Sequence, residues 1–392
     1  VSIRQVPRST LPPALWILAV GAFAIGTDAY VIAGVLPDLA PGLHVRASTA
    51  GQLVTVFAAV YAVLAPVSAS LTGTLSRRTV LVGALATFTA GNALTATAHS
   101  YHLVLIGRIV AAAGAATFTP QASATASALV PPELRARALA VVIGGLTSAT
   151  ALGVPLGTLV SGVLGWRATL WAVAGLGAAA LAGTAAWLPD LPAPTGHPFA
   201  ERLSGLRDRA VLVVLTVSLL TVTAEQLVYT YIGPALTGAT AGHAGPLAGL
   251  LLVFGVGAVA GNAIAGIATD RFGSRTTLLL AVGGMTTDLA LLPWWSHAMP
   301  SATAAMFLWG LTGWMYVVPQ QHRLLALSRQ GGQLAVALNS SVLYLGIAVG
   351  GLLGGAVLTL ASPPWLAAPA LLLGTLAVAT ATVGYPRTEA EA

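Results

Sequence analysis

The sequence predicts an all-α polytopic membrane protein: twelve transmembrane helices forming two six-helix bundles related by pseudo-two-fold symmetry. Three observations predict it. Apolar residues make up 56% of the 392 residues and charged residues only 7%, whereas a soluble chain needs about 25% charge to cover its surface; mean hydropathy is +0.86. Apolar runs of roughly 20 residues, the length that crosses about 30 Å of hydrocarbon, recur along the chain. The chain also repeats itself at an offset of 197: Asp28 matches Glu225, Pro37 Pro234, Arg78 Arg275, Gly153 Gly350 and Gly157 Gly354. A fixed period of that kind marks a duplicated unit.

Twelve runs fit the span length: 14–36, 48–71, 79–97, 102–129, 137–160, 166–188, 211–235, 246–268, 276–295, 301–325, 334–358 and 365–385. The first carries no cleavage pattern of a signal peptide and is expected to stay in the bilayer. The long polar stretch 189–210, PDLPAPTGHPFAERLSGLRDRA, separates six spans from six. The expected organisation is therefore an N-terminal bundle at 1–188, a cytoplasmic linker at 189–210 and a C-terminal bundle at 211–392.

Arginine placement sets the expected orientation. With the N-terminus inside, fourteen of the 17 arginines fall on the cytoplasmic face: Arg4, Arg8, Arg77, Arg78, Arg135, Arg137, Arg202, Arg207, Arg209, Arg271, Arg275, Arg323, Arg329 and Arg387. Arg46 and Arg167 fall on the other face, and Arg108 lies within a span. Both termini are then cytoplasmic. Trp16, Trp166, Trp187, Trp294, Trp295 and Trp365 lie near span ends, where an interfacial aromatic belt is expected.

Composition also excludes function classes. With no cysteine, disulfides, thiol chemistry and cysteine metal sites are unavailable. His44, His99, His102, His243 and His297 fall in outward loops or span ends without ligand spacing, so neither a metal nor a cofactor is expected. The net charge of +6 is spread over short loops, which argues against a nucleic-acid partner. No nucleophile motif, Walker loop or dinucleotide fingerprint occurs, and GVGAVAG at 255–261 lies inside a span. Neither an enzyme nor an ATP-driven pump is expected.

Residues 266–275 read GIATDRFGSR, with Gly266, Asp270, Arg271, Gly273 and Arg275 in the pattern Gly-x-x-x-Asp-Arg-x-Gly-x-Arg. The counterpart at 69–78, ASLTGTLSRR, shares only the final Arg78. Span 5 carries GVPLGT at 153–158, followed by GWRATLW at 165–171; span 1 carries GTDAYVIAGVLPDLA at 26–40 and span 4 LIGRIVAAAGAATFTPQA at 105–122. Together these segments resemble the major facilitator superfamily, in its drug/proton antiporter branch of chloramphenicol-resistance and arabinose-efflux type. Two parallel six-helix halves are that fold's architecture. The resemblance implies a monomer in a bacterial cytoplasmic membrane, exchanging protons for a small-molecule substrate.

Asp28 lies in mid-span, where a charge costs at least ~3 kcal/mol and usually faces a cavity or a partner. Desolvation favours the neutral acid and a nearby guanidinium the carboxylate, so a group between them can change protonation as a cavity opens to either side. A permanently paired structural acid is the alternative. Arg108 cannot discharge and must be paired, hydrated or snorkelling; the resemblance implies a place lining the cavity, tied to protonation. Glu225 sits at the equivalent depth in span 7, with Tyr229 one turn on, and completes the expected proton-coupling set. Asp288 in span 9 is expected to make a local structural bond.

Tyr30, Gln121, Gln226, Tyr229, Trp314 and Asn339 are candidate cavity residues, with Tyr231, Asn262, Trp309 and Gln320 as further polar or aromatic groups in spans. Polar groups there equally serve as interhelical glue. Ala149, Gly153, Gly157 and Ser161 in span 5, and Gly346, Gly350 and Gly354 in span 11, form small-residue stripes that let helices approach closely. They are expected to seal the seams between bundles, with Pro155 adding a kink. The expected function is proton-coupled export of small amphipathic compounds, with chloramphenicol-like antibiotics first by resemblance. A sugar- or nucleoside-type transporter of the same fold is the alternative, and a lipid-directed membrane enzyme a third reading without a catalytic set.

Overall fold

A computed structural model describes residues 11–72, 74–191, 208–327 and 332–384. Most of the linker (192–207), and Arg4, Arg8, Arg202, Arg207, Arg329 and Arg387, lie outside the described residues. Among the described residues, eleven helical stretches are long and apolar enough to cross a membrane. One of them, Ala244–Ala290, has 47 residues and would reach roughly 70 Å at 1.5 Å per residue, more than twice a hydrocarbon core. It breaks at Gly273, whose φ of 79° and ψ of 158° no helix contains. This conformation suits glycine because a Cβ would be strained there. The two limbs, 244–272 and 274–290, supply two spans, and the total is twelve.

In chain order the first half comprises α1 (Pro13–Gly42), α2 (Ala47–Leu71), α3 (Arg77–Thr97), α4 (Tyr101–Ala128), α5 (Pro132–Leu164) and α6 (Trp166–Trp187). The second comprises α7 (Arg209–Tyr229), α8 (244–272), α9 (274–290), α10 (Met299–Leu327), α11 (Gly332–Leu360) and α12 (Pro363–Gly384). Each overlaps its expected span. Local sequence explains the ends: Ser76 and Ser100 cap α3 and α4 through their hydroxyls, and the Asp208 carboxylate caps α7. Within α5 a wide π turn at Ala149–Gly153 precedes Pro155, whose missing N–H cannot continue the regular ladder.

Within the first half α3 packs on α4 and α6, and α1 on α5 and α6; in the second, α10 packs on α8–α9, and α11 and α12 on α7. The halves meet chiefly where α2 packs on α11, α5 on α8, and α1 on the short helix Ile232–Ala235 that extends α7. Because α8 repeats α2 and α11 repeats α5, the pseudo-two-fold exchanges the first two seams. The repeat is preserved in side-chain contacts. Arg78 donates through Nη2 to the main-chain carbonyl of Ala185, and Arg275 donates in the same way to Thr382. Donor and acceptor both step by the same 197 residues.

The outer surface is apolar: Leu360 and Val383 are 89% and 90% exposed, as side chains facing lipid would be. Trp16, Trp187, Trp294 and Trp365 lie exposed at span ends, but Trp166 and Trp295 are buried. Trp295 donates through Nε1 to the main-chain carbonyl of Asp288 at 2.8 Å, so a tertiary bond takes it out of the belt. The Asp288 carboxylate lacks the expected local bond: Oδ2 is buried without a partner among the described residues.

The glycine stripes correct another expectation. Gly153 and Gly157 face Thr27 and Val31 of α1, whereas Gly350 and Gly354 face Leu227 and neighbouring residues of α7. Both stripes therefore tighten packing inside a half, not between halves. The inter-bundle seam uses the adjacent glycine row of α11: Gly351 faces Thr55, and Gly355 faces Gln52 of α2. One residue turns a helix face by about 100°, enough to change partner.

Candidate functional site

Asp28 on α1 and Arg108 on α4 form an ion pair with both side chains fully buried. Arg108 donates to Asp28 Oδ1 through Nη1, and through Nη2 to the Asp28 main-chain carbonyl at 3.2 Å. Asn92 on α3 donates to Asp28 Oδ2 at 3.4 Å and to the carbonyl of Phe88 at 3.2 Å. The guanidinium lies 4.3 Å from the ring centroid of Phe57 on α2, a distance for cation–π attraction. Four helices thus converge on one ion pair. Arg108 Nε and Asn92 Oδ1 are buried without hydrogen-bond partners among the described residues, leaving donor and acceptor capacity for a rearrangement.

Glu225 on α7 is 6% exposed and, among the described residues, has no ion pair or hydrogen bond. The residue at the repeat position of Arg108 is Ala305 on α10, which is uncharged and buried. Aromatic rings surround this acid's end of the site. Tyr229 meets Tyr30 edge-on at 6.0 Å between centroids, Phe254 at 5.1 Å and Trp309 at 6.1 Å. Phe254 is the repeat mate of Phe57.

Other candidates separate by environment. Tyr30 and Trp314 are half-buried in mid-span. Gln226 is buried and sets its Cβ against Gly350 of α11. Asn339 is buried, its Oδ1 without a partner among the described residues. Gln121 lies away from the ion pair, donating to Thr72 Oγ1 at 3.5 Å at the end of α2. Gln320 joins α10 to α7 through the Val214 carbonyl and the Ser218 hydroxyl, both at 3.0 Å, and so acts as glue. In the α8–α9 corner Asp270 and Arg271 are exposed, and a Cβ on Gly266 would meet nothing.

Tyr231 forms a latch at the seam. It is fully buried where α7 breaks, and a Cβ on Gly51, Gly354 or Gly355 would run into it. Its hydroxyl donates to the Gly351 carbonyl at 2.8 Å and accepts from Gln52 Nε2 at 3.3 Å. Nearer the middle of the same seam, Tyr61 of α2 stacks on Tyr344 of α11 at 3.5 Å.

Asn92, Phe57, Gln52, Tyr61 and Tyr344 escaped the sequence reading. Phe57 had a usable signal, since Phe254 stands at the repeat offset. The others are single residues whose partners only the fold reveals.

A two-bundle membrane protein of twelve helices, with charged side chains buried within its spans, has the architecture of a secondary transporter. The chain belongs to the Major Facilitator Superfamily, whose sequence profile matches residues 18–331. It is 38% identical over 294 residues to a chloramphenicol resistance protein of Streptomyces lividans, covering 74% of this chain and 73% of that one. It is 33% identical over 344 residues to the inner membrane transport protein YdhP of Escherichia coli (strain K12), covering 87% and 88% respectively. The fold matches a crystal structure of the nucleoside transporter NupG with a TM-score of 0.74, over 95% of this chain and all of that one, at 12% identity. At that identity the likeness concerns fold alone.

Proposed function

We propose that this transporter is a proton-coupled exporter of small amphipathic compounds, working by alternating access, with Asp28 exchanging the proton and Arg108 as its counter-ion. The supporting observation is the fully buried Asp28–Arg108 pair. Removing one charge from such a pair leaves the other unpaired in a low-dielectric interior, so protonating Asp28 changes which arrangement of the helices is favoured. The Streptomyces lividans relative supports chloramphenicol-like antibiotics as the first substrate class to try.

In the cycle, deprotonated Asp28 holds Arg108 while substrate loads from the cytoplasm. The latch at Tyr231, on the face that arginine placement puts outside, suits this stage. After the bundles rock, an external proton neutralises Asp28, substrate leaves, and the protonated carrier returns to release the proton inside. One charge crossing 100 mV contributes ~2.3 kcal/mol and each pH unit about 1.4 kcal/mol, enough for roughly a hundredfold substrate gradient.

Asp28→Asn is expected to abolish gradient-driven chloramphenicol uptake into inverted vesicles, while the variant inserts in normal amounts. Full uptake by that variant would refute the assignment.

A further inference from the structure

The ion pair and its Asn92 donor lie within the first half, yet a proton exchanged there has to alter a seam between halves. Helix α2 reaches both places. Its Phe57 lies under the guanidinium of Arg108, 4.3 Å from Cζ to ring centroid, and its Tyr61 stacks on Tyr344 of α11 at 3.5 Å, the rings 15° from parallel. Four residues apart, Phe57 and Tyr61 share one helix face, and both are buried. The Tyr61 hydroxyl stands beside that of Thr119, on the same helix as Arg108. Tyr344 is close enough to Asp28 to feel its charge. Asp28, Arg108, Phe57, Tyr61 and Tyr344 are therefore neighbours in series, from the core of one half to the wall of the other.

If the stack were interhelical glue alone, it would bear no relation to the charges. The repeat points to one. Phe57 has Phe254 as its mate, but Tyr61 is matched by Ala258, Tyr344 by Thr147 and Arg108 by Ala305. The α5–α8 seam therefore lacks the ring pair, and α10 lacks the arginine. Cation and stack occur together on the α2–α11 side and are missing together from its symmetry mate. The ring overlap is also closer than the offset or edge-on contacts that ring pairs prefer, about 4.5–7 Å between centroids, so nothing else fits between α2 and α11 at that depth. Interiors are packed too densely for one ring to move without its neighbours. When a proton on Asp28 frees the guanidinium, Arg108 can leave Phe57, and the α2 face that carries Tyr61 shifts against Tyr344.

We propose that Tyr61 is the positioning residue through which the charge state of the Asp28–Arg108 pair sets the α2–α11 seam, with Phe57 as its contact to the guanidinium and Tyr344 as its contact to the second half. The proposal rests on the reading of Asp28 as the proton-exchanging acid. It adds the route by which that exchange reaches the other bundle.

The test is a double-mutant cycle read as seam geometry. The chain has no cysteine, so spin labels on Arg46→Cys and Ser362→Cys, at the exposed ends of α2 and α11 nearest the Tyr231 latch, report the α2–α11 distance in the purified full-length protein in lipid nanodiscs. Asp28→Asn, standing for the protonated acid, is expected to change the ratio of separated to closed seams at least about fivefold, the lower edge of ordinary coupling between sites. In a Tyr61→Leu background the same change should move the ratio less than about twofold. Tyr61→Phe, which keeps the stack, should restore the full response. Tyr344→Leu should uncouple as Tyr61→Leu does, and serves if Tyr61→Leu does not fold. A ring that only held the seam shut would, when removed, raise the separated fraction and leave the response to Asp28→Asn intact; that result overturns the proposal. So does a Tyr61→Phe variant as unresponsive as Tyr61→Leu. A seam that ignores Asp28→Asn with every ring in place refutes Asp28 as the coupling acid as well, so loss of the reading and loss of the route give different patterns.

Discussion

At the edge of each half the same clip recurs, Arg78 on the Ala185 carbonyl and Arg275 on that of Thr382. At the centre the copies part. Asp28 is paired with Arg108, whose guanidinium lies over the ring of Phe57, and accepts from Asn92, whereas Glu225 has Ala305 at the matching position and rings from Phe254, Trp309 and Tyr229 in its neighbourhood. Duplication supplied two equivalent acids, and divergence at one residue of α4 and α10 gave them different electrostatic settings. One carboxylate is neutralised inside its own half; the other has no counter-charge at the matching position. A symmetric fold can therefore hold two different electrostatic environments without a change of architecture.

The sharpest way to break this comparison is to exchange the cation between halves. Arg108→Ala strands Asp28 in the interior and is expected to cost about 3–5 kcal/mol, read as a lower unfolding midpoint in detergent. Adding Asp28→Asn to it should recover most of the loss. Ala305→Arg, the converse change, should give Glu225 an internal partner and be tolerated better with Glu225 present than in a Glu225→Gln background, read as the unfolding midpoint. An equal midpoint in the two backgrounds would sink the idea that this one position separates the two acids.

A smaller effect is expected at the seam. Tyr231→Phe keeps the ring between its glycines and removes only the hydroxyl, worth about 1 kcal/mol for the lost bonds. That corresponds to roughly a fivefold shift toward a separated α2–α11 face. The chain contains no cysteine, so a single Thr55→Cys, opposite Gly351, reports the opening. Its labelling by a membrane-impermeant maleimide should quicken about fivefold in the Tyr231→Phe background. An unchanged rate would deny the latch a part in gating.

The smallest effect concerns the clips. Arg78→Ala and Arg275→Ala are each expected to lower stability by about 0.5 kcal/mol, because the charged heads are partly solvated. Lying far apart, they should add. A double variant much worse than the sum would mean that the halves communicate through these edges.

Much of this was legible in the chain because a bilayer leaves little freedom in composition. Asp28, Arg108 and Glu225 stood out against apolar runs, and the repeat offset tied Arg78 to Arg275 before any contact was visible. The Gly273 break could be anticipated from the boundary between two runs, though not its backbone angles. Helix rotation was not legible. Span 11 carries Gly350 and Gly354 beside Gly351 and Gly355, and nothing local says which row faces α7 and which faces α2. Trp295 and Asp288 failed for a related reason: seven residues apart, they look like a belt aromatic and an independent acid until the turn brings the indole onto the main-chain carbonyl.

The two edge clips terminate on backbone oxygens, at an alanine in one copy and a threonine in the other. Any residue type offers that oxygen, so the acceptor tolerates drift that would erase a side-chain bond. Only the arginine has to persist. At these two edges the repeat is thereby recorded against main chain, where a substitution at the acceptor position has little to edit.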